Sequence, residues 1–282
     1  MRLPFPARAA VLAALACIAA GLRPAAAAAQ EAPAAAPPSK EELARKLANP
    51  VADLVSIPVQ FNWENGVGPD GDGLRTVINF QPVVPVSLSS RWNLIGRWVL
   101  PYISQPEAFG SVSGFGDVLL SAFLSPKDGG SLVWGVGPVL ALPMSTSPAL
   151  GTGKWSVGPT AVVIKLAGKW TYGFLANQLW SFADASSADR RAVSQAFLQP
   201  FVAYVTPGGV TFTLQSETIA NWNADDAGDR WTVPINASVA KLTKLGPFPF
   251  SIAAGAGVFV ASPEGGPSWK LRTVFAVLLP SK

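Results

Sequence analysis

The chain has no histidine, and its only cysteine, Cys17, lies near the start. Without histidine there is no Ser–His or Cys–His pair to activate a nucleophile and no His-bearing metal centre. With one cysteine there is no internal disulfide. No G-x-S-x-G is present, and "GSVSG" at Gly110–Gly114, which is spaced differently, reads as a flexible loop. Carboxylate pairs can do acid–base chemistry alone, but the acidic residues here are sparse and fall mostly in loop-like segments. The residues point to a chain that is not an enzyme and carries no cofactor and no metal. Charge is scarce as well, at 13% of residues. The net +4 owes much to Arg2, Arg8 and Arg23: without them the 21 basic residues fall to 18, against 17 acidic ones, which gives no footprint for nucleic acid.

Long apolar runs are missing too. Residues 1–29 have arginines ahead of an apolar stretch that ends in small residues, the pattern of a secretory signal with its cut near Ala29/Gln30. The residues before Cys17 match a lipoprotein cleavage site poorly. Beyond this segment nothing approaches the roughly 18 consecutive apolar residues of a membrane helix, so a membrane would have to be crossed with strands. From Gln30 to Pro38 the composition is almost only Ala and Pro, a linker. "SKEELARKLANP" follows, with Ser39 and Glu42 in capping-box spacing and Leu43 and Leu47 suggesting a short helix before Pro50. It reads as a periplasmic helix, a small plug or a frayed linker. Residues 30–50 thus precede a main body at 51–282.

What the chain does have is alternation. "DRWTVPINASVAK" places Trp231, Val233, Ile235, Ala237 and Val239 on one side and Thr232, Asn236 and Ser238 on the other. A period of two is a strand with an apolar and a polar face, which fits a soluble sandwich or an outer-membrane barrel. Pro234, on the polar side, predicts a bulge or a break in the ladder. About 12 such strands are expected: Val55–Glu64, Leu74–Val86, Trp92–Tyr102, Gly116–Ser125, Leu132–Pro143, Lys154–Leu166, Trp170–Phe182, Gln195–Val205, Val210–Trp222, Arg230–Leu242, Phe248–Ala261 and Ser268–Leu279.

The connections choose between the two folds. Short turns ("SLSSR", "PKDGG", "AGK", "TPGG", "TKLGP") alternate with longer ones, among them Ile103–Phe115 and Ala183–Ser194, as in bacterial outer-membrane barrels. Asp70 and Asp72 in "GVGPDGDG" resemble a calcium loop but lack its ligand spacing and closing Glu, leaving a surface turn. "NADDAGD", with Asp225, Asp226 and Asp229, reads as a solvated loop. Tryptophan agrees with a barrel: Trp63, Trp155, Trp180, Trp222, Trp231 and Trp269 fall at outer strand ends, and Trp92, Trp134 and Trp170 at inner ends. These nine form the two interfacial girdles of a membrane barrel, with Trp98 nearer mid-strand. A charge at mid-depth on the lipid face costs about 2–4 kcal/mol, and the ionisable residues mostly take the other face. Only Gln195–Val205 is ambiguous, because Gln195 and Gln199 share a side with Phe197 and Phe201. Glu64, Arg75, Arg97, Asp117, Glu217, Lys270 and Arg272 are therefore expected to line the lumen as a solute path, with Glu64 near Lys270 or Arg272 on closure. The other reading of these seven is a satisfied network in a closed interior.

The blocks "NPVADLVSIPVQFNW", "GFGDVLLSAFLSP", "WGVGPVLALPMST", "LGTGKWSVGPTAVV", "WTYGFLANQLWS", "FLQPFVAYVT", "WTVPINASVAKL" and "PEGGPSWKLRTVFAVLLP" carry a resemblance, in order from Asn49 to the C-terminus. They resemble the MetA-pathway phenol-degradation family of bacterial outer-membrane proteins, often labelled transporters or misnamed neuromedin U. The resemblance implies an outer-membrane barrel associated with uptake of hydrophobic or aromatic compounds, and it brings no ligand residues. The end, "LLPSK", departs from the pattern, with Leu279 where family members often carry an aromatic.

The expectation is an all-β antiparallel transmembrane barrel of about 12 strands in the bacterial outer membrane, with a short N-terminal periplasmic helix. Its partners would be outer-membrane lipid, the barrel-assembly machinery and a small-molecule solute that the sequence does not identify. Its function would be passive passage of small, hydrophobic or aromatic solutes. The alternative is a closed barrel with a structural or surface-interaction role.

Overall fold

The computed structural model describes residues 39–48, 54–107, 110–185, 190–246 and 248–279. The expected signal segment with Cys17, the Ala/Pro-rich linker and residues 280–282 lie outside them. The expected helix forms as α1, Lys40–Leu47. Ser39 Oγ caps it by accepting from Glu42 N at 3.1 Å, and Glu41–Arg45 and Glu42–Lys46 pair one turn apart.

Fifteen strand segments make twelve barrel strands. These are β1 Val55–Val67, β2 (Gly73–Phe80 with Val83–Ser87), β3 Trp92–Glu107, β4 (Gly110–Phe115 with Val118–Pro126), β5 Leu132–Leu142 and β6 Lys154–Ala167. The remainder are β7 Trp170–Asp184, β8 Ser194–Val205, β9 (Val210–Ser216 with Thr218–Asn221), β10 Trp231–Leu245, β11 Phe248–Ala261 and β12 Trp269–Leu279. Every strand pairs antiparallel with its neighbours in the chain, and β12 closes on β1 through a register that sets Glu64 opposite Lys270 and Asn62 opposite Arg272. A closed barrel leaves no unpaired edge, which is what lets strands cross lipid.

Proline marks where the ladder is interrupted. Continuing the β9–β10 register (Gln215 to Asn236, Ser216 to Ile235) sets Glu217 against Pro234, and β9 breaks at Glu217. Pro234 has no N–H to give, and the register against β11 shifts between Val233 and Pro234. The expected irregularity at Pro234 is thus present. Pro82 lies in the break of β2, where Trp98 N donates to its carbonyl at 3.1 Å.

One expected loop is a strand. Segments 103–107 and 110–115 extend the β3–β4 hairpin, with Tyr102 opposite Phe115, Ser104 opposite Ser113 and Glu107 opposite Gly110. "GSVSG" carries no apolar alternation because a hairpin rising past the membrane is held by its own backbone ladder and needs no lipid-facing side chains. The longer connections 143–153, 222–230 and 262–268 still emerge together at one end, opposite the tight turns at 88–91, 168–169 and 206–209.

The two faces of the wall differ in size as well as polarity. Val163, Phe174, Leu214 and Val258 are exposed, although large and apolar. An apolar band of this extent around a closed wall is stable against lipid and not against water. Inside, Ile95, Phe123, Ile164, Leu175, Val83 and Val162 form a buried cluster on one side of the barrel, joined by Phe197 and Phe201.

Candidate solute path through the barrel

Alternation brings β1, β9 and β12 to present polar side chains to the interior. Arg272 donates from Nη1 and Nη2 to the two carboxylate oxygens of Glu217 at 3.0 and 2.5 Å, and from Nε to Asn62 Oδ1 at 2.7 Å. Such a bidentate arrangement is the strongest form of a guanidinium–carboxylate pair. Lys270 Nζ reaches Glu217 Oε2 at 3.3 Å and stands 5.3 Å from the centre of the Phe259 ring. The chain of polar contacts continues through Gln215 (3.4 Å from Glu217) to Gln199 (3.3 Å from Gln215).

Glu217 belongs to β9 and Arg272 to β12, so the bridge lies over β10 and β11. The interior positions there are Asn236, Ser238, Gly255 and Gly257, which leave room beneath it. A Cβ on Gly255 would come within 2.5 Å of the Ala237 carbonyl oxygen, and one on Gly257 within 2.3 Å of Asn236 Oδ1. The repeated small residues of "AAGAGV" are the local reason that the ion pair can span the lumen.

The expected interior residues separate into groups. Glu217, Lys270 and Arg272 form one network. Glu64 pairs with Arg75 at 2.6 Å, so it meets neither Lys270 nor Arg272, although Lys270 is directly opposite in register. Arg97 donates from Nη2 to Gln81 Oε1 at 3.0 Å, and among the described residues no carboxylate lies within ion-pair distance of it. Asp117 stands apart from all of these and holds a loop: its carboxylate accepts from Ser145 N, Thr152 N and Thr152 Oγ1 at 3.3, 2.6 and 2.8 Å. Among the described residues no group of three or more Asp, Glu, Cys or His could hold a metal ion.

The tryptophans all sit on the outer face. Trp92 and Trp134 meet edge to face at 6.0 Å, as do Trp222 and Trp231 at 5.7 Å, and Trp170 stands 4.9 Å from Tyr204. Trp63 stacks on Phe61, and Trp155, Trp180 and Trp269 are exposed near strand ends.

Below the polar network lies a cavity of about 280 Å³, lined by Gln60, Gln81, Arg97, Gln199, Phe201, Gln215, Arg272 and Val274 among others. Its floor is α1, whose Ala44, Lys46 and Leu47 face it, with Leu43 and Leu47 packed on Leu54, Leu242 and Leu278 at the barrel mouth. Phe201 lies opposite Gly173, where a Cβ would stand only 2.1 Å from the ring. The missing side chain of Gly173 is what seats the ring inside the wall, and it resolves the ambiguous face of β8: Gln199 and Phe201 both point inward.

Sequence reasoning missed the apolar half of the interior. Phe123, Val139, Val162, Ile164 and Leu175 occupy inward positions that a uniformly polar lumen would not predict. Small and large residues alternate in "WGVGPVLAL", but both classes are apolar, so polarity alone hides the face. It also missed Gln81, whose place in the break of β2 gives no periodic signal, and the ion pair of buried Lys154 with Asp184.

A closed antiparallel barrel with an apolar outer band and a partly polar interior is an outer-membrane β-barrel, and the bacterial outer membrane is where the chain resides. The structure is similar to that of an outer-membrane channel from Pseudomonas putida F1, with a TM-score of 0.62 and 20% identity over 80% of this chain and 96% of that one. It is also similar to the NanC porin, with a TM-score of 0.50 and 12% identity over 80% of this chain and all of that one. At these identities the likeness is one of fold. No family model and no curated protein matches the chain.

Proposed function

We propose that the chain is a passive, non-enzymatic channel for small solutes with hydrophobic or aromatic character. The observation that carries this is the interior itself: an apolar cluster built on buried Ile95 and Phe123 reaches the cavity through Val83 and Phe201, and the same cavity is lined by the amides of Gln60, Gln81, Gln199 and Gln215 and by paired Arg272. A path for fully hydrated ions has no need of the first, and a sealed core has no need of the second. A twelve-stranded barrel is wider than the eight-stranded kind that side chains fill and narrower than the 16 to 18 strands of open porins. The names of the two similar structures, a channel and a porin, support passage by analogy of fold. The phenol-degradation resemblance adds the hydrophobic solute class.

In this reading Glu64, Arg75, Arg97, Glu217, Lys270 and Arg272 shape the path, while Asp117 acts at its outer loops. The nine tryptophans at strand ends are the interfacial girdles. Residues 1–29 direct export, residues 30–50 are a linker and plug, residues 51–282 are the barrel, and the barrel-assembly machinery inserts it.

The test is single-channel conductance of the folded protein in a planar bilayer, with and without residues 30–50. Discrete openings, larger after the deletion, support a pore plugged by α1. Silence from both forms, in protein whose gel mobility is heat-modifiable, would replace this reading with a closed barrel that acts structurally or at the cell surface.

A further inference from the structure

The cavity has a charge asymmetry that passage of a neutral apolar solute does not require. Among the described residues its lining contains three charged side chains, Lys46, Arg97 and Arg272, all cationic, and no Asp or Glu. Two of the three are engaged: Arg272 spends its fork on Glu217 and its Nε on Asn62, and Lys46 stands 3.7 Å from Glu42. Arg97 is different. Among the described residues its one side-chain hydrogen bond is to the neutral Gln81 amide, at 3.0 Å.

A guanidinium that lines a cavity inside the barrel and is hydrogen-bonded only to a neutral amide is incompletely compensated, and an anion that supplies planar, bidentate acceptors would improve on that partner. The same cavity offers apolar contact from Val83, Phe201 and Val274. Its 280 Å³ is close to the lower end of small-molecule pockets, about 300 Å³, which limits the occupant to a compact body.

We infer that this cavity is a binding site for small amphipathic monocarboxylates, such as monoaromatic or short aliphatic acids, with the carboxylate on Arg97 and the apolar body against Phe201 and Val83. The inference rests on the channel reading and names its solute class. Gln81 is a positioning residue, holding the guanidinium from the break in β2. The Glu217–Arg272 pair, already satisfied, closes the far side of the site and takes no part in binding the ligand.

Calorimetric titration of the full chain, folded in detergent, tests this with three nearly isosteric probes: benzoate, benzamide and benzamidinium. Each is corrected against protein-free micelles. A hydrogen-bonded charge pair predicts that benzoate binds at least about tenfold more tightly than benzamide and that benzamidinium does not compete. Inorganic phosphate, an anion without an apolar body, should bind more weakly than benzoate. Arg97→Gln should remove the preference and Arg97→Lys should retain part of it.

Equal affinity for benzoate and benzamide overturns the inference, as does phosphate binding as tightly as benzoate, or no binding of any probe. A preference that survives Arg97→Gln does the same. The wild-type comparison needs no variant, so it decides even if Arg97→Gln fails to fold. Bilayer currents measured alongside separate this inference from the channel reading. Benzoate binding without current would remove the channel and keep the site, whereas current without discrimination among the probes would keep the channel and remove the site.

Discussion

Glu217 and Arg272 are joined by two parallel hydrogen bonds of 3.0 and 2.5 Å across the interior, over β10 and β11, the second of which presents Gly255 and Gly257 beneath them. The side chains are 20% and 7% exposed, so the pair is shielded without being fully dry. Removing one partner of a buried pair leaves the other charge uncompensated, which costs several kcal/mol.

Glu217→Gln is accordingly expected to destabilise the barrel by about 3 kcal/mol in urea unfolding from lipid vesicles. It leaves Arg272 and Lys270 without their shared anion, so reversal potentials should shift toward anion selectivity. Combined with Arg272→Met, the cost should fall well below the sum of the single variants, because both remove the same interaction. Additive costs would show that the bridge contributes nothing as a unit.

Gly255→Ala tests the same geometry from below. A Cβ there meets the backbone oxygen of Ala237 at 2.5 Å and Ser238 Cβ at 2.7 Å, neither of which is the end of a flexible side chain. A loss of about 1–3 kcal/mol is expected, with the folded fraction after refolding as the readout. At Gly68 a Cβ would meet nothing within 4 Å, but φ is +95°, so the control belongs at Gly228, which has open space and no positive φ. Gly228→Ala should be neutral.

Much of this was legible from the sequence, because a barrel in lipid writes its two environments into alternate residues. The strands of Val55–Val67 and Trp269–Leu279 have apolar residues facing lipid and charges facing inward, so both the fold and the interior position of Glu64, Lys270 and Arg272 follow from parity. Pairing does not follow from it. Glu64 and Lys270 are register neighbours, yet each bonds elsewhere, since which acid meets which base depends on the room left by Gly255 and Gly257. Parity also fails where both faces are apolar, as around Phe123 and Val139, and where a strand extends into water, as in 110–115.

Phe201 narrows the interior beside the cavity, and Gly173 is what admits its ring. Phe201→Ala is expected to raise single-channel conductance, with a stability loss of about 3 kcal/mol from the cavity it leaves. Gly173→Val would drive the ring further into the lumen and lower conductance. Unchanged currents in both variants would place the ring off the path.

Helix α1 is held at the barrel mouth by Leu43 and Leu47 against Leu54, Leu242 and Leu278. The ladder of the wall does not pass through it, so the helix can leave without opening the barrel. The Leu43→Ala, Leu47→Ala double variant should show more frequent or larger openings while the unfolding midpoint moves by less than that of Glu217→Gln. Openings identical to wild type would show that α1 does not obstruct the path.

Asp117 makes a different kind of prediction, because it acts on a loop. Its carboxylate gathers Ser145 and Thr152, and Arg190 Nη2 adds a second clasp by donating to the carbonyls of Pro148 and Gly151 at 2.6 and 2.8 Å. Leu150, 6% exposed, is the apolar pin beneath them. Without the carboxylate three donors lose their acceptor at once, while no barrel ladder bond is broken. Asp117→Ala should therefore make the 143–153 connection sensitive to proteinase K in the folded protein, while heat-modifiable mobility persists. Asp117→Asn keeps an acceptor oxygen and should be intermediate. Equal resistance in wild type and Asp117→Ala would mean that Arg190 and Leu150 suffice to hold the loop, and Arg190→Ala in the Asp117→Ala background would then be the variant that frees it.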